Sequence, residues 1–285
     1  MTKKSLLPVL ILTVCSSCTN YGQLTFVTKL PKKLDENSGI IHMKDSTVWF
    51  IQDGGNSDKL YQVDFEGDIR NELEVKNAKN TDWEDLTKDD EGNVYIGDFG
   101  NNDSDRKNLV VYKVPNPEIE KGDKIDAKKI RFRYPDQKKF PPKAKKPQFD
   151  AEALFYRKGF LYIITKNRSS PFTGMARIYK IPARKGNHKA EFVGAFKTCD
   201  SEAQCRVTAA TISDDGKTIV LLSSGKLWVF TDFTGDDFSK GTLKTIDLKA
   251  TSQLEAICFL NENTLLISDE ERSKTGRNLY SYSLD

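Results

Sequence analysis

Five short segments decide the fold: Glu36-Asn37-Ser38-Gly39-Ile40, Asp82-Trp83-Glu84-Asp85-Leu86, Asp150-Ala151-Glu152-Ala153-Leu154, Arg206-Val207-Thr208-Ala209-Ala210 and Gln253-Leu254-Glu255-Ala256-Ile257. Each runs from polar through small to apolar residues, and their starts lie 46, 68, 56 and 47 residues apart. A unit repeating every ~40–50 residues is the mark of propeller blades. Behind each start comes a turn such as Asp89-Asp90-Glu91-Gly92-Asn93 or Asp214-Asp215-Gly216-Lys217. Gly, Asn and Asp supply the positive φ that tight hairpins need. Apolar, β-branched runs follow at 48–51, 94–97, 160–164, 218–222 and 264–267, and a third strand lies past a polar loop in every unit. The last unit stops after its third strand, whereas residues 23–30 form an orphan strand at the start. Joined, they complete a blade and remove two exposed edges. The expectation is an all-β, five-bladed β-propeller over residues 23–285, closed by an N-terminal strand. The alternative, a six-bladed ring, needs a blade hidden in 115–149, which is too charged and proline-rich for one. No convincing helix follows the N-terminal segment.

That N-terminal segment has Lys3 and Lys4, an apolar run over 6–14, and Ser16-Ser17-Cys18. Basic, then apolar, then small residues make a secretory signal over 1–17, too short to cross a bilayer. A Cys directly after two serines resembles a bacterial lipobox, although Cys15 stands where Leu is usual. Lipidation of Cys18, with 18–22 as a linker, would anchor the protein to the bacterial membrane; signal cleavage without a lipid is the alternative. Thr19 and Asn20 are not acidic, which favours the outer membrane of the cell envelope, facing the periplasm or the outside. Export permits disulfides. Cys199 and Cys205 flank a short polar segment and read as a loop-closing bridge, or as two free thiols. Cys258 sits in an apolar run and reads as core. With two histidines and no Cys-x-x-Cys pair after the signal, a zinc site of the Cys/His kind is not expected.

The formal net charge of +3 hides segregation: residues 121–146 carry eleven Lys and Arg against three Asp. With Pro135, Pro141 and Pro142 this stretch reads as an exposed basic loop. It could dock on anionic headgroups or a phosphorylated ligand, or be a solvated insertion. It lacks the interleaved aromatics of base stacking, so no nucleic-acid partner is expected. The protein reads as a monomer.

In a propeller the first strand of each blade lines the channel, so Ser38, Glu84, Glu152, Thr208 and Glu255 are equivalent. A second ring is expected from the loops after the second strands: Asp53, Asp98, Lys166, Ser223 and Asp269, with Arg168 beside Lys166. Six carboxylates at one channel mouth raise each other's pKa unless a cation neutralises them. Hard oxygen donors in that number suit Ca²⁺ or Mg²⁺. Glu84, Glu152 and Glu255 are the candidate metal ligands, and Asp53, Asp98, Lys166, Arg168 and Asp269 the candidate ligand-binding residues. Salt bridges from Lys166 and Arg168 are the metal-free alternative. No Gly-x-Ser-x-Gly elbow, P-loop or dinucleotide fingerprint occurs. Any proton transfer therefore falls to Glu84, Glu152 or Glu255, with Lys166 or a cation as electrophile.

The series Asp82-Trp83-Glu84-Asp85-Leu86, Gly97-Asp98-Phe99-Gly100-Asn101-Asn102, Tyr134-Pro135-Asp136, Asp150-Ala151-Glu152-Ala153-Leu154 and Thr165-Lys166 resembles a family of secreted bacterial β-propeller lipoproteins. In general architecture these are similar to phytase-like and lactonase-like propellers. That resemblance implies a central site of acidic residues, often with calcium, and leaves the substrate open. The chain departs from the family pattern by inserting residues 137–149. The readings are a ligand-binding envelope propeller using an axial acidic mouth, a metal-dependent hydrolase of phosphoester or lactone type, or an interaction scaffold.

Overall fold

The computed structural model describes residues 21–143 and 148–285, so the signal segment and Cys18 lie outside the described residues. β1 (Thr25–Lys29) precedes blade one, which is β2 (Asn37–His42), β3 (Thr47–Gln52), β4 (Lys59–Asp64) and β5 (Ile69–Lys76). Blade two opens with β6 (Trp83–Lys88), β7 (Val94–Asp98) and β8 (Val110–Val114). The chain then steps back: β9 (Lys124–Asp126) adds to blade one, parallel to β5. β10 (Lys128–Arg133) returns to pair antiparallel with β8. Blade three holds β11 (Asp150–Arg157), β12 (Phe160–Lys166) and β13 (Met175–Pro182). A second step back sends β14 (Gly186–Lys189) to blade two, parallel to β10, before β15 (Glu191–Lys197) completes blade three. Blade four is β16 (Ala209–Ile212), β17 (Ile219–Leu222), β18 (Lys226–Thr231) and β19 (Thr242–Asp247). Blade five is β20 (Leu254–Phe259), β21 (Thr264–Asp269) and β22 (Asn278–Ser283), closed by β1.

Five sheets in ring order make the molecule a five-bladed β-propeller. The innermost strands pack β2 on β6, β6 on β11, β11 on β16, β16 on β20, and β20 back on β2. β1 joins β22 antiparallel, with Thr25 opposite Ser281 and Lys29 opposite Asn278. Among the described residues no sixth sheet lies between blades two and three. The exposed loop expected over 121–146 is corrected, because that stretch contains β9 and β10. Ile125, Ile130 and Phe132 are buried while the basic residues between them face out. A run that looks uniformly basic in composition is, residue by residue, an alternating strand.

The core is five apolar interfaces, one between each pair of neighbouring blades. Trp49, Leu73 and Trp83 fill the first, Phe99, Leu154 and Tyr179 the second, and Phe155, Ile178 and Trp228 the third. Val220, Leu227 and Ile257 fill the fourth, and Phe50, Val63 and Leu266 the last. Burying one such side chain stabilises by roughly 1.5–3 kcal/mol. Across the channel the tie is polar. The buried carboxylate of Asp85 on β6 accepts the N–H groups of Leu86 at 2.8 Å, Leu154 at 2.7 Å and Ala210 at 3.2 Å. One side chain thus joins blades two, three and four, and burial pushes its carboxyl well above the usual range. Cys199 and Cys205 are bridged, with Cα atoms 5.7 Å apart, around the one-turn helix α1 (Glu202–Cys205). Cys258 is buried, and burial pushes its thiol up to about 12.

Candidate functional site

Four of the five innermost strands, all but β16, carry one residue too many where the channel begins. Opposite the single step from Asp98 to Gly97, β6 runs Trp83, Glu84, Asp85. The same slip falls at Glu152 on β11, at Glu255 on β20 and across Ser38-Gly39 on β2. A β-bulge re-aims the extra residue out of the pleat. The three glutamates of the axial ring are therefore bulge residues, which lets their neighbours keep pairing. The two hydroxyl members serve the ring instead. Ser38 Oγ donates to the carbonyl of Glu84, and Thr208 Oγ1 donates to that of Leu254 at 2.8 Å.

Two groups of three carboxylates share Glu84: Asp53 with Asp82, and Asp150 with Glu152. Within each group one oxygen per residue lies within 4.8 Å of the others. The loops are tied to hold them there. Asn80 Nδ2 donates to the carbonyls of Gln52 and Asp53 at 3.0 and 2.9 Å, while its Oδ1 accepts Trp83 N–H at 3.1 Å. Asn101 N–H donates to Asp150 Oδ1 at 2.7 Å, and Asn101 Oδ1 accepts Arg106 N–H at 2.9 Å. A methyl group on Gly100 would collide with the carboxylates of Glu84 and Asp82, and one on Gly54 with Asp82. The Gly-Asp-Phe-Gly-Asn-Asn segment is thus a clasp. Phe99 anchors it in the core, Gly100 closes on Glu84, and Asn101 carries the contact to blade three.

Charge compensation divides the two groups. Arg168 pairs with Asp150 through Nε and with Glu152 at 3.1 Å, and Lys166 Nζ lies 3.0 Å from Glu152 Oε2. Burial alone would pull the Lys166 ammonium down, but Glu152, Glu255 and Asp150 hold it above its ordinary value, so it stays charged. Among the described residues the one ion pair made by Asp53 or Asp82 is to Arg106, 4.0 Å from Asp82 and engaged with Asp98 at 2.8 Å, while Lys166 and Arg168 act on them only from further off. Glu84 is 6 % exposed, and its carboxylate has no hydrogen-bond or ion-pair partner among the described residues. Burial and the charges of Glu152, Asp53 and Asp150 push it well above the usual range. Burial likewise raises Asp53 and Asp150 to about 6, and raises Asp82, Glu152 and Glu255. An unpartnered buried carboxylate amid oxygen donors fits a hard divalent cation, and Asp53, Asp82 and Glu84 are the residues that could hold one.

The expected second ring splits by strand register. Asp98 is opposite Trp83 and Asp269 is opposite Leu254, so both belong to the ladder and face into their blades. Asp98 accepts Asp82 N–H at 3.1 Å and positions that residue from behind. Asp269 is bound by Asn278 N–H at 2.7 Å and Tyr280 Oη at 2.8 Å, away from the mouth. Ser223 bonds to the carbonyl of Gln204 at 2.6 Å. Asp53 and Lys166 do face the carboxylates. Next to Asp269, Glu270 faces the mouth; Gln253 Nε2 donates to it, and burial beside Glu255 pushes it up to about 9. Glu255 stands outside both carboxylate groups and, with Lys166, Arg168, Arg206 and Glu270, lines a cavity of about 620 Å³. Asp82, Asp150 and Glu270 are the site residues missing from the sequence reading. A larger cavity, about 1230 Å³, opens between the hairpin turns of the inner strands, at Asp89–Gly92 and Asp214–Thr218, apart from the carboxylate groups. His42 lies on its wall, hydrogen-bonded to the carbonyl of Asp45.

No protein-family model and no curated protein matches the sequence. Solved structures do match the fold. A PQQ-bound aldose sugar dehydrogenase from Streptomyces coelicolor superposes with a TM-score of 0.55 at 9% identity, over 91% of this chain and 98% of that one. A glucose dehydrogenase gives 0.50 at 8% identity, over 89% and 97%, and a putative gluconolactonase 0.49 at 13%, over 89% and 76%. At such identities the likeness is one of architecture, and the chain is a propeller similar in fold to sugar dehydrogenases.

Proposed function

We propose that the acidic mouth binds a polar ligand through a divalent cation, Ca²⁺ in the first instance, held by Asp53, Asp82 and Glu84. The observation that carries this reading is the Glu84 carboxylate, buried at the meeting point of both acidic groups and without a hydrogen-bond or ion-pair partner among the described residues. A buried, uncompensated charge is costly unless it is neutralised. Asp150 and Glu152 already have Arg168 and Lys166, which leaves the other side of Glu84 for the ion. A bound cation would bring a Lewis-acidic centre to the mouth. Lys166 and Arg168 pair with and orient the neighbouring carboxylates, and the clasp over 97–102 holds the geometry.

Hydrolysis of phosphoester or lactone type is the second reading, favoured by Glu270. A carboxyl held at about 9 stays protonated at neutral pH and can donate a proton. The Ser16-Ser17-Cys18 segment is the support for lipid anchoring at the cell envelope, and the Cys199–Cys205 bridge supports export alone.

Calcium titration by calorimetry, with thermal denaturation alongside, tests the cation. Saturable heat and a raised melting point are expected for the wild type, and loss of both in Glu84→Gln with the fold intact. Absence of heat and shift in the wild type overturns the cation-dependent reading.

A further inference from the structure

The outer edge of blade two is a basic surface that the axial site does not use. β10 and β14 lie side by side and parallel, with Arg131 opposite Asn187 and Arg133 opposite Lys189. Residues in register point to the same face. Ile130 and Phe132 turn inward to the core, which leaves Arg131, Arg133 and Lys189 on one exposed strip. The chain leaving β10 adds Lys138, Lys139 and Lys143, all exposed. Among the described residues none of these six makes an ion pair, whereas the neighbouring Arg177 is bound to Asp136. Between the lysines stands Phe140, 37 % exposed, with Lys107 5.3 Å above its ring.

Like charges gathered on one edge repel one another, and no acidic side chain among the described residues pairs with them; Lys138 Nζ donates only to the carbonyl of Pro135, at 2.8 Å. β14 is the last strand of its sheet, so the strip borders solvent. We infer that this edge docks on an anionic lipid surface, its Arg and Lys residues meeting headgroup phosphates while Phe140 seats at the headgroup level. Flexible basic side chains around one exposed aromatic suit a layer of mobile phosphates over an apolar interior. A nucleic acid would be served by stacking platforms, and the strip itself carries none. The surface is independent of the axial site and of any lipid on Cys18.

The test is co-sedimentation of the full chain with phosphatidylcholine vesicles and with vesicles in which a third of the lipid is phosphatidylglycerol. A lipid anchor partitions into both, so the difference between them isolates the charged edge. Each basic residue near an anionic surface contributes about fivefold. The expected result is at least a tenfold preference for the anionic vesicles at low salt, abolished at high salt. Arg131→Glu combined with Arg133→Glu and Lys189→Glu should remove the preference. If that variant fails to fold, Lys138→Ala with Lys139→Ala and Lys143→Ala should still lower it severalfold. Equal binding to both vesicles overturns the inference, as does a preference that survives both variants. Displacement from anionic vesicles by an equimolar DNA oligonucleotide also overturns it, giving the edge a different partner.

Discussion

Asp85 and Glu84 are consecutive acids with opposite fates, and the bulge between them separates those fates. Asp85 receives three backbone N–H groups from three blades, so its carboxyl is spent on the fold. Asp85→Ala would strand three buried donors, at about 1–3 kcal/mol each, and a loss of at least about 3 kcal/mol is expected in denaturant unfolding. Asp85→Asn, which keeps one acceptor oxygen, should lose less. Glu84 has no such partners, and its removal should cost binding and leave stability unharmed. The same alternation explains which site residues were legible. Asp53 and Lys166 were assigned to the mouth and face it, but Asp98 and Asp269 were aligned with them by residue type. Moving one position along a strand exchanges its faces. Glu270 therefore stood beside the expected residue, and no feature of Ser268-Asp269-Glu270-Glu271 distinguishes the inward acid from the ladder acid. Asp82 and Asp150 open the repeat segments, and only the bulges show that they reach the same space as Glu84.

At the level of the element, the blade repeat was readable because turn residues and apolar runs recur together, and the ring with its N-terminal closing strand follows from that. β9, β10 and β14 were not readable. Each is short and polar, β9 and β14 each pair with the blade before the one their position in the chain suggests, and in β10 basic composition outweighed a two-residue alternation. The disulfide is a local element of another kind. Cys199 and Cys205 close a loop of sequence separation 6 beside the 620 Å³ cavity, fixing α1 and the adjacent Arg206 at its rim. Cys199→Ser with Cys205→Ser should lower stability by about 2 kcal/mol on the entropy of so short a loop. Thermal unfolding with and without reductant checks this: the reductant should shift the wild type and leave the variant unchanged.

For the whole molecule, the acidic mouth makes stability depend on pH in a direction opposite to ordinary acid denaturation. Asp53 and Asp150 at about 6, and Glu270 at about 9, hold protons in the folded state that they release when unfolded. A folded state that binds more protons loses stability as pH rises. Their contribution is full below the unfolded values and is lost as pH climbs through 6 and then 9. The metal-free protein should therefore melt at a lower temperature at pH 9 than at pH 5, and Glu270→Gln should flatten the upper part of that decline. Calcium should flatten the rest. The closure of the ring has a consequence of another sort, in time. Leu30 and Arg277 exchange hydrogen bonds across a sequence separation of 247 residues, and β1 has no partner until β22 exists. Contacts so distant along the chain form slowly. A polypeptide emerging amino-end first must keep its first strand idle, an open adhesive edge, until nearly the last residue has arrived.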